Sequence, residues 1–74
     1  MHIAYDQEND TAYVALAARV GDGAAVRQVT VAAPGGAAEL NLDFDASGRL
    51  LGIEAIGARA ALPAALLRDG DPRA

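Results

Sequence analysis

Over the first three-quarters of the chain, apolar and polar residues alternate with a period of two, and each alternating run ends in turn-forming residues. Ile3 and Tyr5 share one face of a short opening strand, and the polar run "DQEND" follows as a turn. "TAYVALAA", Thr11 to Ala18, reads as a second strand, and the glycines of "VGDGA" make the next stretch a loop. "AVRQVTVA" is a third strand in which Val29 and Val31 share a face that Arg27 joins at one end, and "PGGAA" breaks the chain again. "ELNLDFD" alternates strictly, with Leu40, Leu42 and Phe44 opposed to Glu39, Asn41, Asp43 and Asp45. After "ASG", "RLLGIEAI" puts Leu51, Ile53 and Ala55 on one face. The other face, Leu50, Gly52, Glu54 and Ile56, is too apolar to be fully solvated, which calls for a second packing partner such as a helix or another subunit.

From Leu62 the period changes. Pro63 suits the first position of a helix, "AALL" has high helix propensity, Arg68 complements the C-terminal dipole and Gly70 is placed as a stop. Leu62, Leu66 and Leu67 then form a short apolar stripe. The expectation is one α+β domain over residues 1–74: an antiparallel β-meander of four to five strands in 1–58, with strand order following chain order, one short C-terminal helix over 62–69, and a frayed tail over 70–74.

Composition narrows the picture. A chain of 74 residues buries only about 60% of the surface its unfolded form exposes. Its apolar fraction is 53% but its aromatic fraction 4%, so the large core side chains are few and a homodimer is expected. No cysteine is present, which removes disulfides, thiolate metal sites and cysteine nucleophiles. Ten acids against six arginines give a net charge of -4, and the arginines form no stripe, so neither nucleic acid nor an anionic membrane is an expected partner. With no signal-peptide pattern at "MHIAYDQEND" and no long apolar run, the expected compartment is the cytoplasm.

One stretch suggests metal chemistry. "DFDASGRLLGIE", Asp43 to Glu54, carries acids, Ser47, Gly48 and Glu54 in the ligand order of a calcium loop. The strict alternation before Asp43 argues instead for a hairpin. Keeping Leu40, Leu42 and Phe44 on the side of Leu51 and Ile53 requires an even connection, Asp45 to Gly48, which opposes Phe44 to Arg49, Asp43 to Leu50, Leu42 to Leu51 and Leu40 to Ile53. In that register Glu54 lies about 13 Å along the ladder from Asp43, too far to share one ion.

Two blocks, "YDQENDTAYVAL" and "LDFDASGRLLGIEAIGA", resemble the small prokaryotic proteins of domain of unknown function family 2283. The matching positions are Tyr5, Asp6, Glu8, Asp10, Tyr13 and Leu16, then Asp43, Asp45, Gly48, Leu50, Gly52, Ile53 and Glu54. Gln7 stands where a Pro is usual in that family. The resemblance implies a compact antiparallel sheet with a helix, no assigned activity, no catalytic residue and no cofactor. It also makes an antitoxin or partner-binding role conceivable.

The remaining candidates read mostly as structure. Asp6, Glu8 and Asp10 cluster in the first turn, where acids commonly cap backbone groups, and they are also the candidate contact for an Arg-rich partner. Asp43 and Asp45 are expected on one face of an outer strand. His2 lacks the companions of a zinc site, and Ser47 lacks a histidine to activate it. No nucleophile, metal cluster or nucleotide motif marks an enzyme. The first functional expectation is therefore a non-enzymatic protein-interaction module, an antitoxin-like partner of a small basic protein. The alternative is a divalent-cation binder through the Asp43/Asp45 turn, with Glu54 a weaker candidate because the hairpin register sets it apart.

Overall fold

In the computed structural model, which describes residues 1–16 and 24–72, the chain forms one mixed sheet with two short helices on one of its faces. The strands are β1 (His2–Asp6), β2 (Thr11–Ala15), β3 (Arg27–Ala32), β4 (Glu39–Phe44), β5 (Leu50–Ile56) and the two-residue β6 (Asp71–Pro72). The helices α1 (Ala58–Ala61) and α2 (Ala64–Asp69) lie between β5 and β6. β1 to β5 pair antiparallel, so the architecture is α+β, and β6 adds a short parallel pairing to β1. Residues 17–18 of "TAYVALAA" and 20–23 of "VGDGA" fall outside the described residues.

Several expectations are corrected. Strand order in the sheet is β3-β4-β5-β2-β1-β6 and not chain order, because β5 inserts between β4 and β2. The low polarity expected of its second face has two sources: Leu50, assigned to that face, instead opposes Phe44 on the apolar side, and Gly52 on the central strand β5 lies buried beneath the Tyr13 ring. The C-terminal segment forms two helices where one was expected. Pro63 is the N-cap of α2, φ -57° and ψ 141°, one residue before the position assigned to it, while Gly70 ends α2 as expected. The tail is not frayed throughout, since Asp71–Pro72 pairs with β1.

The hairpin at Asp45 is present, with a different register. Asp45 and Arg49 flank a three-residue connection, closed by Gly48 N–H to the Asp45 carbonyl at 3.0 Å with Gly48 at φ +84°. A three-residue connection alone would flip the faces. Leu51 is bulged out of register between the Phe44–Leu50 and Asp43–Gly52 pairs, and this extra residue restores them. Leu42 is opposed to Ile53 and Leu40 to Ala55, so the apolar side is continuous from β4 to β5 as the alternation required. Glu54 consequently lies two rows from Asp43 and not four.

Opposed residues share a face, so pairing defines both sides of the sheet. Face A carries Ile3 and Tyr5, Ala12 and Val14, Ile53 and Ala55, Leu40 and Leu42, then Val29 and Val31. The helices lie on this face, where Ala12, Ala55, Ala58 and Leu67 form the core with Tyr5, Leu40, Ala61 and Leu62 against it. Three of those four core residues are alanines, which lets helix and sheet backbones approach closely. The helical layer is also too small for the sheet. Six strands at ~4.8 Å spacing span about 24 Å, whereas the six residues of α2 make a rod about 9 Å long and about 10 Å across. Val29 and Val31 on the core side of β3 stay 42% exposed.

Gly57 joins β5 to α1 at φ +81°, and a Cβ there would stand 2.8 Å from the Ala37 carbonyl oxygen and 3.3 Å from Ala38 Cα. Gly35 has a similar φ, +90°, with open space around it. Gly57→Ala is expected to cost more than the ~1–2 kcal/mol that a left-handed backbone imposes on a side chain, and Gly35→Ala only that amount. Urea denaturation of both variants measures the difference, and equal losses would show that crowding at Ala37 contributes nothing.

Candidate functional site

Face B is the polar side of the sheet, and its side chains hydrogen-bond across strands in two rows. In one, Asp43 accepts from Gln28 Nε2 at 3.0 Å through Oδ1 and from the Tyr13 hydroxyl at 3.1 Å through Oδ2. In the other, Thr30 Oγ1 donates to Asn41 Oδ1 at 2.7 Å, and Asn41 Nδ2 donates to Glu54 Oε1 at 3.1 Å. The two rows connect β3, β4, β5 and β2 from behind the apolar side. Gly52 is required by this arrangement, because a Cβ on it would stand 2.6 Å from the Tyr13 ring carbon that bears the hydroxyl.

The two acidic turns are likewise turned inward. Asp45 Oδ1 accepts from Ser47 N–H at 2.9 Å, Ser47 Oγ at 2.8 Å and Arg49 N–H at 2.9 Å, so its carboxylate organises the hairpin. The Arg49 N–H bond and the Ser47 hydroxyl hold the Asp45 pKa below its ordinary value. Asp6 accepts from the Asn9 side chain at 2.8 Å and from Asn9 N–H at 3.2 Å. Glu8 is exposed at the tip of the same turn.

Asp10 does more than close its turn. It sits at φ +53°, and its carbonyl accepts the N–H groups of Gly57 at 3.0 Å and Ala58 at 2.9 Å. Its Oδ1 accepts the N–H of Arg59 at 3.0 Å, Arg59 Nε at 3.3 Å and the Tyr5 hydroxyl at 3.2 Å. Three successive N–H groups at the start of α1 are thus satisfied by one residue far away in sequence. Desolvation works to raise the Asp10 pKa, but the hydrogen bonds from Arg59 and Tyr5 outweigh it and leave the pKa lowered. An open depression beside this clasp, lined by Tyr5, Gln7, Arg59, Ala64, Leu67 and Arg68, is bordered by a guanidinium already directed to Asp10 and the Gln7 carbonyl.

The structure therefore places the sequence-predicted residues in four separate settings. Asp43 and Glu54 belong to different rows of face B, Asp45 to the hairpin, Asp6 and Glu8 to the first turn, and Asp10 to the helix clasp. Among the described residues no group of three or more His, Cys, Asp or Glu side chains comes together to hold a metal ion. His2 lies exposed at the start of β1. Val29 and Val31 went unrecognised as surface residues because their alternation matches that of a buried strand. The available signal was the ratio of predicted helix length to sheet width.

A small antiparallel sheet, with short helices over part of its apolar side and a polar side bonded to itself, defines a cysteine-free α+β protein. A family model described as protein of unknown function, DUF2283, matches residues 2–59, and the chain belongs to that family. Neither a curated protein nor a solved structure matches it. No helix among the described residues is long and apolar enough to cross a membrane.

Gly52→Ala is expected to displace the Tyr13 ring and cost about 1–3 kcal/mol, as overpacking does. In a Tyr13→Ala background the same change should become neutral or stabilising by about 0.5–1 kcal/mol, because alanine is favoured over glycine once the space is free. A double-mutant cycle by urea denaturation checks this, and additive losses would contradict it.

The lowered pKa values of Asp10 and Asp45 carry a definite sign. An unfolded carboxyl binds its proton at higher pH than the folded one, so stability is full above the unfolded value of 3.8 and falls as pH drops through the lower folded value. Asp10→Asn keeps an acceptor at this position but removes its titration. Its melting temperature should therefore fall less than that of the parent between about pH 5 and about pH 2, while lying several degrees lower at neutral pH. Parallel acid limbs would show that the clasp does not titrate with unfolding.

Proposed function

We propose that this chain is a non-enzymatic protein-interaction module whose docking surface is the uncovered half of face A together with the outer edge of β3. The carrying observation is the exposure of Val29 and Val31 on the side of the sheet that elsewhere forms the core, with Val26 61% exposed just before them. Isolated exposed valines are ordinary, but these continue an apolar row through Leu40 and Leu42 into the core. The inward-bonded carboxylates of face B and the turns support the non-enzymatic part of the reading.

An antitoxin-like role toward a small basic protein would use the acidic first turn. The net charge of -4 would steer a basic partner, with Glu8 the most accessible of the first-turn acids. Asp6 and Asp10 contribute to the field from positions where their carboxylates also serve the fold. No observation favours the cation-binding alternative through Asp43, Asp45 and Glu54.

A photo-crosslinking residue placed at Val29, Val31 or, as control, Ser47 tests the surface in the cells from which the protein comes. Covalent adducts are expected at positions 29 and 31 and not at 47, with mass spectrometry identifying what is attached. No adduct at 29 and 31, or equal adducts at all three positions, would remove the docking surface.

A further inference from the structure

We propose that the occupant of this surface is a second copy of the chain, with the two β3 strands paired antiparallel across a two-fold axis at Thr30. The inference rests on the docking surface just described and names its partner.

The two edges of the sheet are unlike. β3 is six residues long, pairs with β4 in unbroken register and contains no Pro, Gly or bulge, so its outer backbone groups form a regular open ladder. Among the described residues no strand covers that side. The opposite edge is β6, two residues of which Pro72 has no N–H to donate. A sheet with one open and one blunted edge can join only through like edges. Such isologous contacts close at two copies and do not grow into fibres.

The strand is also complementary to itself. Antiparallel partners must share a face, so the residue numbers of each opposed pair must sum to an even value. With Thr30 on the axis, Val29 opposes Val31 of the second copy, Gln28 opposes Ala32 and Arg27 opposes Ala33. The four valines then form one apolar patch on face A, continuous with Leu40 and Leu42 in each copy. Moving the axis to Val29 would bring Arg27 against Val31 of the second copy and interrupt that patch with a charge.

Charge favours the same contact. Each chain carries -4 overall, which opposes association through most surfaces. Along β3 the only charge is Arg27 at one end, and the remaining residues are Gln28, Val29, Thr30, Val31 and Ala32. Two acidic chains can therefore meet there without bringing carboxylates together.

The absence of cysteine from the chain makes a direct test available. Thr30→Cys would place two thiols across the axis at an opposed-pair Cα separation of roughly 4.5–5.5 Å, within disulfide reach. Mild oxidation should yield a covalent dimer from Thr30→Cys and none from Ser47→Cys. Sedimentation should give the unaltered protein a mass of about 15 kDa, twice the 7.5 kDa of one chain, and Val31→Lys the mass of a monomer with unchanged circular dichroism. A monomeric parent at every concentration would overturn the self-pairing. If crosslinkers at 29 and 31 then still captured a different protein, the docking surface would stand with another occupant, and if they captured nothing both readings would fall together. A dimer that neither oxidises through position 30 nor responds to Val31→Lys would overturn the assignment to β3.

Discussion

The sheet and the helices meet at Asp10. This residue ends the turn between β1 and β2, and the Thr11–Ile56 pair directly beside it aligns β2 with β5. Gly57, Ala58 and Arg59 follow immediately and deliver their N–H groups to the Asp10 carbonyl and carboxylate. A four-residue helix has no stability of its own, since helix nucleation is unfavourable and so short a segment gains almost no internal bonds. The clasp supplies what the segment lacks. It goes with β5 lying beside β2, since the Thr11–Ile56 pair brings residues 57–59 next to Asp10. Sheet order and helix position are therefore tied together at one contact.

That dependence explains which parts of the fold were legible in the sequence. Face assignment was legible where alternation is unbroken: Leu40, Leu42 and Phe44 share one face with Ile53 and Ala55, while Leu50, beside the bulge, lies on the apolar side and not the polar one. The connection was read with the correct parity and the wrong length, since a three-residue loop followed by a bulge at Leu51 has the same effect on faces as an even loop. Strand order was not legible, because the clasp joins residues 49 positions apart and leaves no periodic trace. α1 was hidden for the same reason, because Gly57 is the left-handed N-cap of a helix capped from elsewhere.

The candidate sites divide along a similar line. Asp45 was readable as a turn-former from Ser47 and Gly48 beside it. Asp43 and Glu54 looked available because their partners, Gln28, Tyr13 and Asn41, come from other parts of the chain. The family match ends at Arg59, so it includes the clasp and stops before α2. α2 brings Leu67, the one large side chain among the four residues of the core cluster, and is nevertheless too short to reach β3.

β3 is consequently a strand that no helix supports, and an unsupported edge strand would ordinarily peel from its sheet. Its pairing with β4 is reinforced from the polar side, where Gln28 reaches Asp43 and Thr30 reaches Asn41. Those bonds use the side chains of face B and leave both the valines of face A and the outer backbone edge unengaged. A strand can present apolar side chains and open backbone groups together only if something else keeps it in register. Here the opposite face of the same strand does so, which makes the polar rows a scaffold for the exposed valines.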